Sequence, residues 1–328
     1  MRNLNKHQKS LSLCVFAHAI LFVLILSSTS NALVLHEDRE PPVSWSGRPS
    51  SNLLGRWRTN ASCVAVSPDC VATTNHQGGG VGTEVVIGGQ TYYVARVERY
   101  GTSDVRVAKL RLADLSEYAS LYTGSSEQNK EIVIGGYGKG RGDELTNELG
   151  IAYGYAWASS GNTVLRWGTN KVDDADANVN GFVCLKADFD DSNFFATDYE
   201  TVIAGYDSGG GWFIDNGSQW QLAGLTYATS HADEAWFLPP DNFFAHRVSE
   251  YADWINTTVS KLANCGSMAE DITEDCMVNT DDLMGLASWW VSEPSSSPAR
   301  ARADIDADTA VNMLDFARLA SNWNQNYW

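Results

Sequence analysis

The chain has 328 residues, a formal net charge of −17, 44% hydrophobic and 19% charged side chains. This length and composition allow a sizeable core plus a second small unit and exclude a disordered chain. The acidity opposes nucleic-acid binding, because phosphates would repel it and no Lys/Arg cluster offsets that repulsion. At the N-terminus, Arg2, Lys6 and Lys9 precede an apolar run from Leu11 to Leu26, broken by Ser12 and His18, and Ser30-Asn31-Ala32 supplies small residues. This pattern predicts a secretory signal peptide over residues 1–32 and a secreted or cell-surface location. An uncleaved anchor is the rival reading, although the run falls short of the ~20 residues that span a bilayer. No later segment is apolar enough to cross, so no transmembrane segment is expected after signal cleavage. Residues 33–50, with charges and three prolines, predict a poorly ordered lead-in.

Export admits disulfides. Beyond the signal lie Cys63, Cys70, Cys184, Cys265 and Cys276, an odd number. The expected bridges are Cys63–Cys70 and Cys265–Cys276, which leaves Cys184 as an inert core thiol in the apolar run 181–185. From Ala61 to Ala228, short β-favouring runs at 83–94, 105–112, 131–134 and 219–228 are separated by Gly, Ser and Asn. They predict a mainly β sandwich or barrel. The 4, 3, 4 spacing of Phe244, Val248, Tyr251 and Ile255 predicts a helix over 243–262 that closes this unit.

Three polar positions in the β region carry chemistry. His76 ends the run Val71-Ala72-Thr73-Thr74-Asn75-His76, and imidazole is the side chain best suited to take a hydroxyl proton near neutral pH. Asp104 heads a strand whose apolar positions are Val105, Val107 and Leu110, where a carboxylate can enter a partly buried site and hold an imidazole; Asp114 is the rival. Tyr206-Asp207-Ser208-Gly209-Gly210-Gly211 follows the apolar run 202–205. Such a turn holds a serine hydroxyl outward while backbone N–H groups converge beside it. Of the other histidines, His246 falls inside the helical pattern and reads as structural, and His231 reads as a loop residue.

The order His76, Asp104, Ser208 resembles that of chymotrypsin-like serine proteases. Thr73-Thr74-Asn75-His76 is similar to that family's Thr-Ala-Ala-His motif, Ser103-Asp104-Val105 to its Asp-Ile-Ala-Leu strand, and the 134–138 run Ile-Gly-Gly-Tyr-Gly to its Gly-Trp-Gly strand. The segment from Phe243 to Ile255 resembles the family's C-terminal helix. The likeness spans roughly residues 45–262, with the domain set at 51–262. It implies two antiparallel six-stranded β-barrels and a C-terminal helix, hydrolysing peptide bonds in protein or peptide substrates. In that scheme Ser208 is the nucleophile, His76 the base and Asp104 its orienting acid, with the N–H groups of Tyr206 and Ser208 as oxyanion donors. Val202 falls at the pocket floor, which argues against basic substrate side chains. Two departures stand out. Tyr206 replaces a glycine whose N–H feeds the oxyanion hole, and losing one such donor costs about a hundred- to a thousand-fold in rate. No Ile-Val-Gly-Gly start follows the signal, so a new N-terminus pairing with Asp207 has no visible counterpart. A catalytically silent binding protein on this fold is the competing expectation.

Residues 264–328 form a different module, in which the acidic text starting at Asp271 returns 33 residues later at Asp304. Calcium takes oxygen ligands at loop positions 1, 3, 5, 9 and 12, with a carbonyl at 7. Asp271, Thr273, Asp275, Met277 (carbonyl), Asn279 and Asp282 fill those places in the first copy. Asp304, Asp306, Asp308, Ala310 (carbonyl), Asn312 and Asp315 fill them in the second. Cys276 and Thr309 replace the usual glycine at position 6. The tandem copies resemble a type I dockerin, an α-helical EF-hand-type module. That implies two calcium ions, none of them serving catalysis, helices packed by Leu283, Leu286, Phe316, Leu319 and tryptophans, and a cohesin-like scaffold or cell-surface partner. The bland alternative is an acidic loop–helix pair without metal. Pro294-Ser295-Ser296-Ser297-Pro298 reads as a connector between the copies.

Overall fold

Apolar residues alternate along short runs that pair with one another through their backbones, the period-two pattern of strands. The computed structural model describes residues 32–326 apart from 37–39, 43, 162, 192–194, 266–267, 291 and 293–296. The predicted signal segment up to residue 31 and most of the 294–298 connector lie outside the described residues. Among the described residues no helix is long and apolar enough to cross a membrane.

Six strands close a barrel in the order Leu54–Trp57, Ala61–Ala65, Cys70–Thr74, Val105–Leu110, Gln90–Arg99 and Glu84–Ile87, the last pairing back onto the first. The alternation divides each strand between two cores. Cys63, Ala65, Val71, Ala108 and Leu110 pack with Trp57, Val85 and Ile87. Val64, Cys70, Ala72, Val105 and Val107 instead pack with Phe213, Leu222, Leu225, Tyr251 and Ile255. This second cluster joins the barrel to the rest of the chain. Each fully buried aliphatic or aromatic side chain in it contributes about 1.5–3 kcal/mol.

Eight of the remaining strands form one sheet. Its path runs Arg166–Lys171, Glu131–Gly136, Gly211–Asp215, Trp220–Thr229, Asn242–Arg247, Phe182–Asp188 and Asp174–Val179, with Ser120–Leu121 parallel to Trp220–Thr229. A three-stranded sheet of Lys139–Thr146, Ala152–Gly161 and Glu234–Trp236 accompanies it. The fold is therefore mainly β with one closed six-stranded barrel. No second hydrogen-bonded closure occurs among the described residues.

Two expectations need correction. The predicted helix over 243–262 begins only at Ala252, as α1 (Ala252–Cys265), preceded by a 3-10 turn at Val248–Glu250. Residues 242–247 are a strand, because two neighbours, Phe182–Asp188 and Trp220–Thr229, saturate its backbone groups from both sides. The lead-in is not loose at its start. Ala32 to Leu35 are buried, and Val34–Leu35 pairs with Thr201–Val202.

The C-terminal unit contains α2 (Thr280–Ser288), α3 (Pro298–Ala303) and α4 (Met313–Ser321). Asn279 and Asn312 cap α2 and α4, each in a reciprocal capping box with the aspartate three residues on. Ile272, Val278, Leu286, Ile305, Val311 and Leu319 form a small core of their own, flanked by Leu283, Trp289 and Phe316. Cys265 at the end of α1 is disulfide-bonded to Cys276. Two further contacts tie the unit to the barrel. Arg96 Nη1 donates to the Asp275 carbonyl at 2.9 Å, and the Leu112 N–H donates to Glu274 Oε2 at 2.9 Å.

Candidate functional site

The strand Cys70–Thr74 runs straight into Asn75 and His76, and Val105–Leu110 pairs with it so that Thr74 faces Val105. This pairing puts Asp104 beside His76. The Asn75 N–H donates to the Asp104 carbonyl (2.6 Å) and the His76 N–H to Asp104 Oδ1 (2.7 Å). The two side chains then meet, with His76 Nδ1 2.7 Å from Asp104 Oδ2. On the other edge of the ring, Nε2 lies 3.0 Å from Ser208 Oγ. The three side chains singled out in sequence thus form one chain of hydrogen bonds. A neutral imidazole so placed can accept a hydroxyl proton while the carboxylate fixes its tautomer. Asp114 takes no part in these contacts.

Ser208 sits in a turn that the barrel grips from below. Ser62, on the strand Ala61–Ala65, donates its N–H to the Ser208 carbonyl at 2.9 Å and its hydroxyl to the Tyr206 carbonyl at 3.3 Å. Gly209, at φ +80°, lies so close that a Cβ there would collide with the Ser62 carbonyl and Thr73 Oγ1. The N–H groups of Asp207, Gly209 and Gly210 go to the carbonyls of Ala204, Thr226 and Asp207. Those of Tyr206 and Ser208 donate to no acceptor among the described residues. Tyr206 has φ +78°, so the glycine-like backbone conformation is retained although its side chain is 39% exposed.

Asp207 is fully buried and receives N–H groups from Ala204 (2.9 Å), Gly138 (2.7 Å) and Leu33. Burial pushes its carboxyl up to about 7 against these donors. The buried Leu33 backbone thus reaches Asp207. Val202 stands apart from the Ser208 cluster. It is fully buried in the core of the larger sheet and pairs with Val34.

Sequence reasoning missed three neighbours. Ser62 carries no local motif. Gln77 Nε2 lies 2.6 Å from His76 Nε2, the same atom that faces Ser208. His246, read as a structural helix residue, instead sits in the Asn242–Arg247 strand with Nε2 3.1 Å from Asp104 Oδ2. Burial disfavours the charged form of Asp104, but hydrogen bonds from His246 and His76 outweigh it and hold the carboxyl well below the usual range. His231, read as a loop residue, stacks on Trp236 and pairs with buried Asp241.

The expected Cys63–Cys70 bridge is absent, and both thiols are free and buried. Register is the reason. Val64 pairs with Ala72, so Cys63 and Cys70 are not opposite each other, and they face different cores. Burial pushes Cys63 up to about 12 and Cys70 higher still. Cys184 is likewise free, buried and raised to about 12 by desolvation.

In the C-terminal loops, carboxylate oxygens of Asp271, Asp275 and Asp282 lie within 4.8 Å of one another, as do those of Asp304, Asp306 and Asp315. Thr273 bonds Asp282 through its N–H (2.9 Å) and hydroxyl (3.0 Å). Asn279 Oδ1 accepts from the Asp281 N–H (2.7 Å), and Asn312 Oδ1 from Leu314 (2.8 Å). Met277 forms a bridge with Asn326. Asp308 lies outside the second trio and accepts from the Ala310 N–H (2.8 Å). Cys276 and Thr309, at φ +70° and +79°, adopt the turn normally given to glycine. Burial, then the neighbouring Asp282 and Asp275 charges, pushes Asp271 up to about 7. Clustered oxygens of this kind could hold a metal ion.

Compared with known proteins, the chain matches no protein-family model and no curated protein sequence.

Proposed function

We propose that this chain is a secreted serine endopeptidase on a trypsin-like double-barrel fold, anchored through a dockerin-like unit that holds two calcium ions. The observation that carries the reading is the continuous Asp104–His76–Ser208 hydrogen-bond chain, 2.7 and 3.0 Å long at its two links. Ser208 Oγ attacks the scissile carbonyl as His76 Nε2 takes its proton, and Asp104 steadies the resulting imidazolium. The N–H groups of Tyr206 and Ser208 receive the oxyanion. His76 then returns its proton to the leaving amine, and water repeats the sequence on the acyl-enzyme.

In the tail, Asp271, Asp275 and Asp282, with Thr273, Asn279 and the Met277 carbonyl, would hold one ion. Asp304, Asp306, Asp308, Asn312 and Asp315, with the Ala310 carbonyl, would hold the other. Calcium would supply the positive charge that lets these carboxylates crowd together. The surface so ordered would face a cohesin-like partner.

A fluorophosphonate should label Ser208 in the folded protein, and Ser208→Ala should lower kcat at least about 10⁴-fold. A folded, unlabelled protein with no turnover would end the peptidase reading. A catalytically silent binding protein is the second reading, favoured by Tyr206 and by the Gln77 contact on the base.

A further inference from the structure

We propose that His246 is a positioning residue, whose Nε2–H holds the Asp104 carboxylate so that Oδ2 stays turned toward His76. The inference rests on the serine-peptidase reading and adds a fourth side chain to it.

Asp104 receives three donors from two histidines. Oδ1 takes the His76 backbone N–H, and Oδ2 takes both His76 Nδ1 (2.7 Å) and His246 Nε2 (3.1 Å). His246 is completely buried, in register between Cys184 on one neighbouring strand and Leu225 on the other, so the sheet fixes the approach of its ring. Its Nδ1 is buried without a partner among the described residues. A phenylalanine would fill similar volume and leave no such orphaned nitrogen. The one polar contact that the His246 ring makes among the described residues is therefore its distinguishing feature. A neutral imidazole has a single N–H, and only on Nε2 does that proton meet an acceptor. Tyr227 joins the two rings as a common wall, 4.3 Å from His246 and 5.8 Å from His76 between centroids.

Each ring has a separate task. His76 exchanges the proton with substrate, whereas His246 keeps the carboxylate ionised and its plane fixed. Without His246, Asp104 Oδ2 loses a donor and its negative charge is shared with His76 alone. The imidazolium is then held more tightly, and the acid limb of the pH profile moves to higher pH. The carboxylate can also rotate, which lowers kcat. His246 lies behind Asp104, so KM should change little. The other titratable groups facing this cluster are Arg106, Cys184, Tyr227 and Tyr251.

The test compares His246→Phe, which keeps the volume, with His246→Gln, whose amide can supply the missing donor. In the full chain, the Phe variant should lose about tenfold or more in kcat with KM nearly unchanged, as expected for one charge-assisted hydrogen bond. Its acid limb should rise, and the downfield His76 Nδ1 proton resonance should weaken or shift. The Gln variant should restore all three toward the wild type. If the Phe variant fails to fold, His246→Met supplies the donorless side chain. Wild-type kcat, acid limb and resonance in a donorless variant would overturn the proposal. So would equal impairment of the Gln and donorless variants, which points to packing alone. Phosphonate labelling of wild-type Ser208 tests the underlying peptidase reading separately, and the resonance comparison needs no turnover.

Discussion

At Tyr206 the chain carries an aromatic residue at φ +78°, where a Cβ is costly. Such a residue stores roughly 1–2 kcal/mol of strain. Tyr206→Gly should therefore raise stability by about 1 kcal/mol, read by denaturant unfolding. It should retain or increase peptidase activity, since the N–H keeps its direction; a large gain from zero would favour the silent-fold reading. Gln77 offers a second test. Its amide competes with Ser208 Oγ for the same imidazole nitrogen, so Gln77→Ala should speed phosphonate labelling, and unchanged labelling would show the contact to be inconsequential. Asp104 governs the acid side of stability. Its folded carboxyl is held below the ordinary value, so the folded state binds fewer protons and its contribution is present above about pH 4. That contribution is lost as pH falls. The stability gap between wild type and Asp104→Asn should accordingly shrink from about pH 4 downward in urea titrations.

Strands and turns bring these residues together, and they were unequally legible. Local text singled out His76, Asp104 and Ser208 separately and only the resemblance in their order linked them; strand pairing and a glycine-rich turn bring the three side chains into contact. Val248, Tyr251 and Ile255 do form a buried stripe, but Phe244 belongs to a strand. A 4, 3, 4 spacing across a strand–turn–helix junction mimics one helix, and only the flanking strands decide otherwise. His246 and Ser62 reach the site by pairings that no window of sequence contains. Val34–Leu35 was unreadable for the same reason, since its partner is Thr201–Val202. At this scale Gly209→Ala is the sharpest perturbation. The Cβ would meet the Ser62 carbonyl at a left-handed backbone position, so a loss of 2 kcal/mol or more, on the order seen for strained substitutions, should accompany lost Ser208 labelling. Normal labelling would mean that the turn does not depend on the barrel wall.

Across the whole molecule, the first acidic loop is tied to the end of α1 by the Cys265–Cys276 disulfide and to the barrel by the Arg96–Asp275 and Leu112–Glu274 contacts, whereas Asp304 to Asp315 has no such covalent tie. Occupancy of the first loop should therefore be felt by the barrel. Calcium at about 100 times its dissociation constant adds ~2.7 kcal/mol by mass action. The melting temperature of the full chain should rise by several degrees over that in chelator. Cys276→Ser should weaken this coupling and separate the melting of the C-terminal unit from that of the barrel. Identical melting in calcium and chelator would remove the metal assignment. At the opposite end, Leu33 donates to Asp207, the residue immediately before Ser208. Trimming residues 33–35 would strip that acid of a donor and leave Thr201–Val202 with an open edge. The Leu33–Leu35 segment thus acts as a keystone for a turn far along the polypeptide, so a nick there should loosen the backbone around Ser208 without touching it.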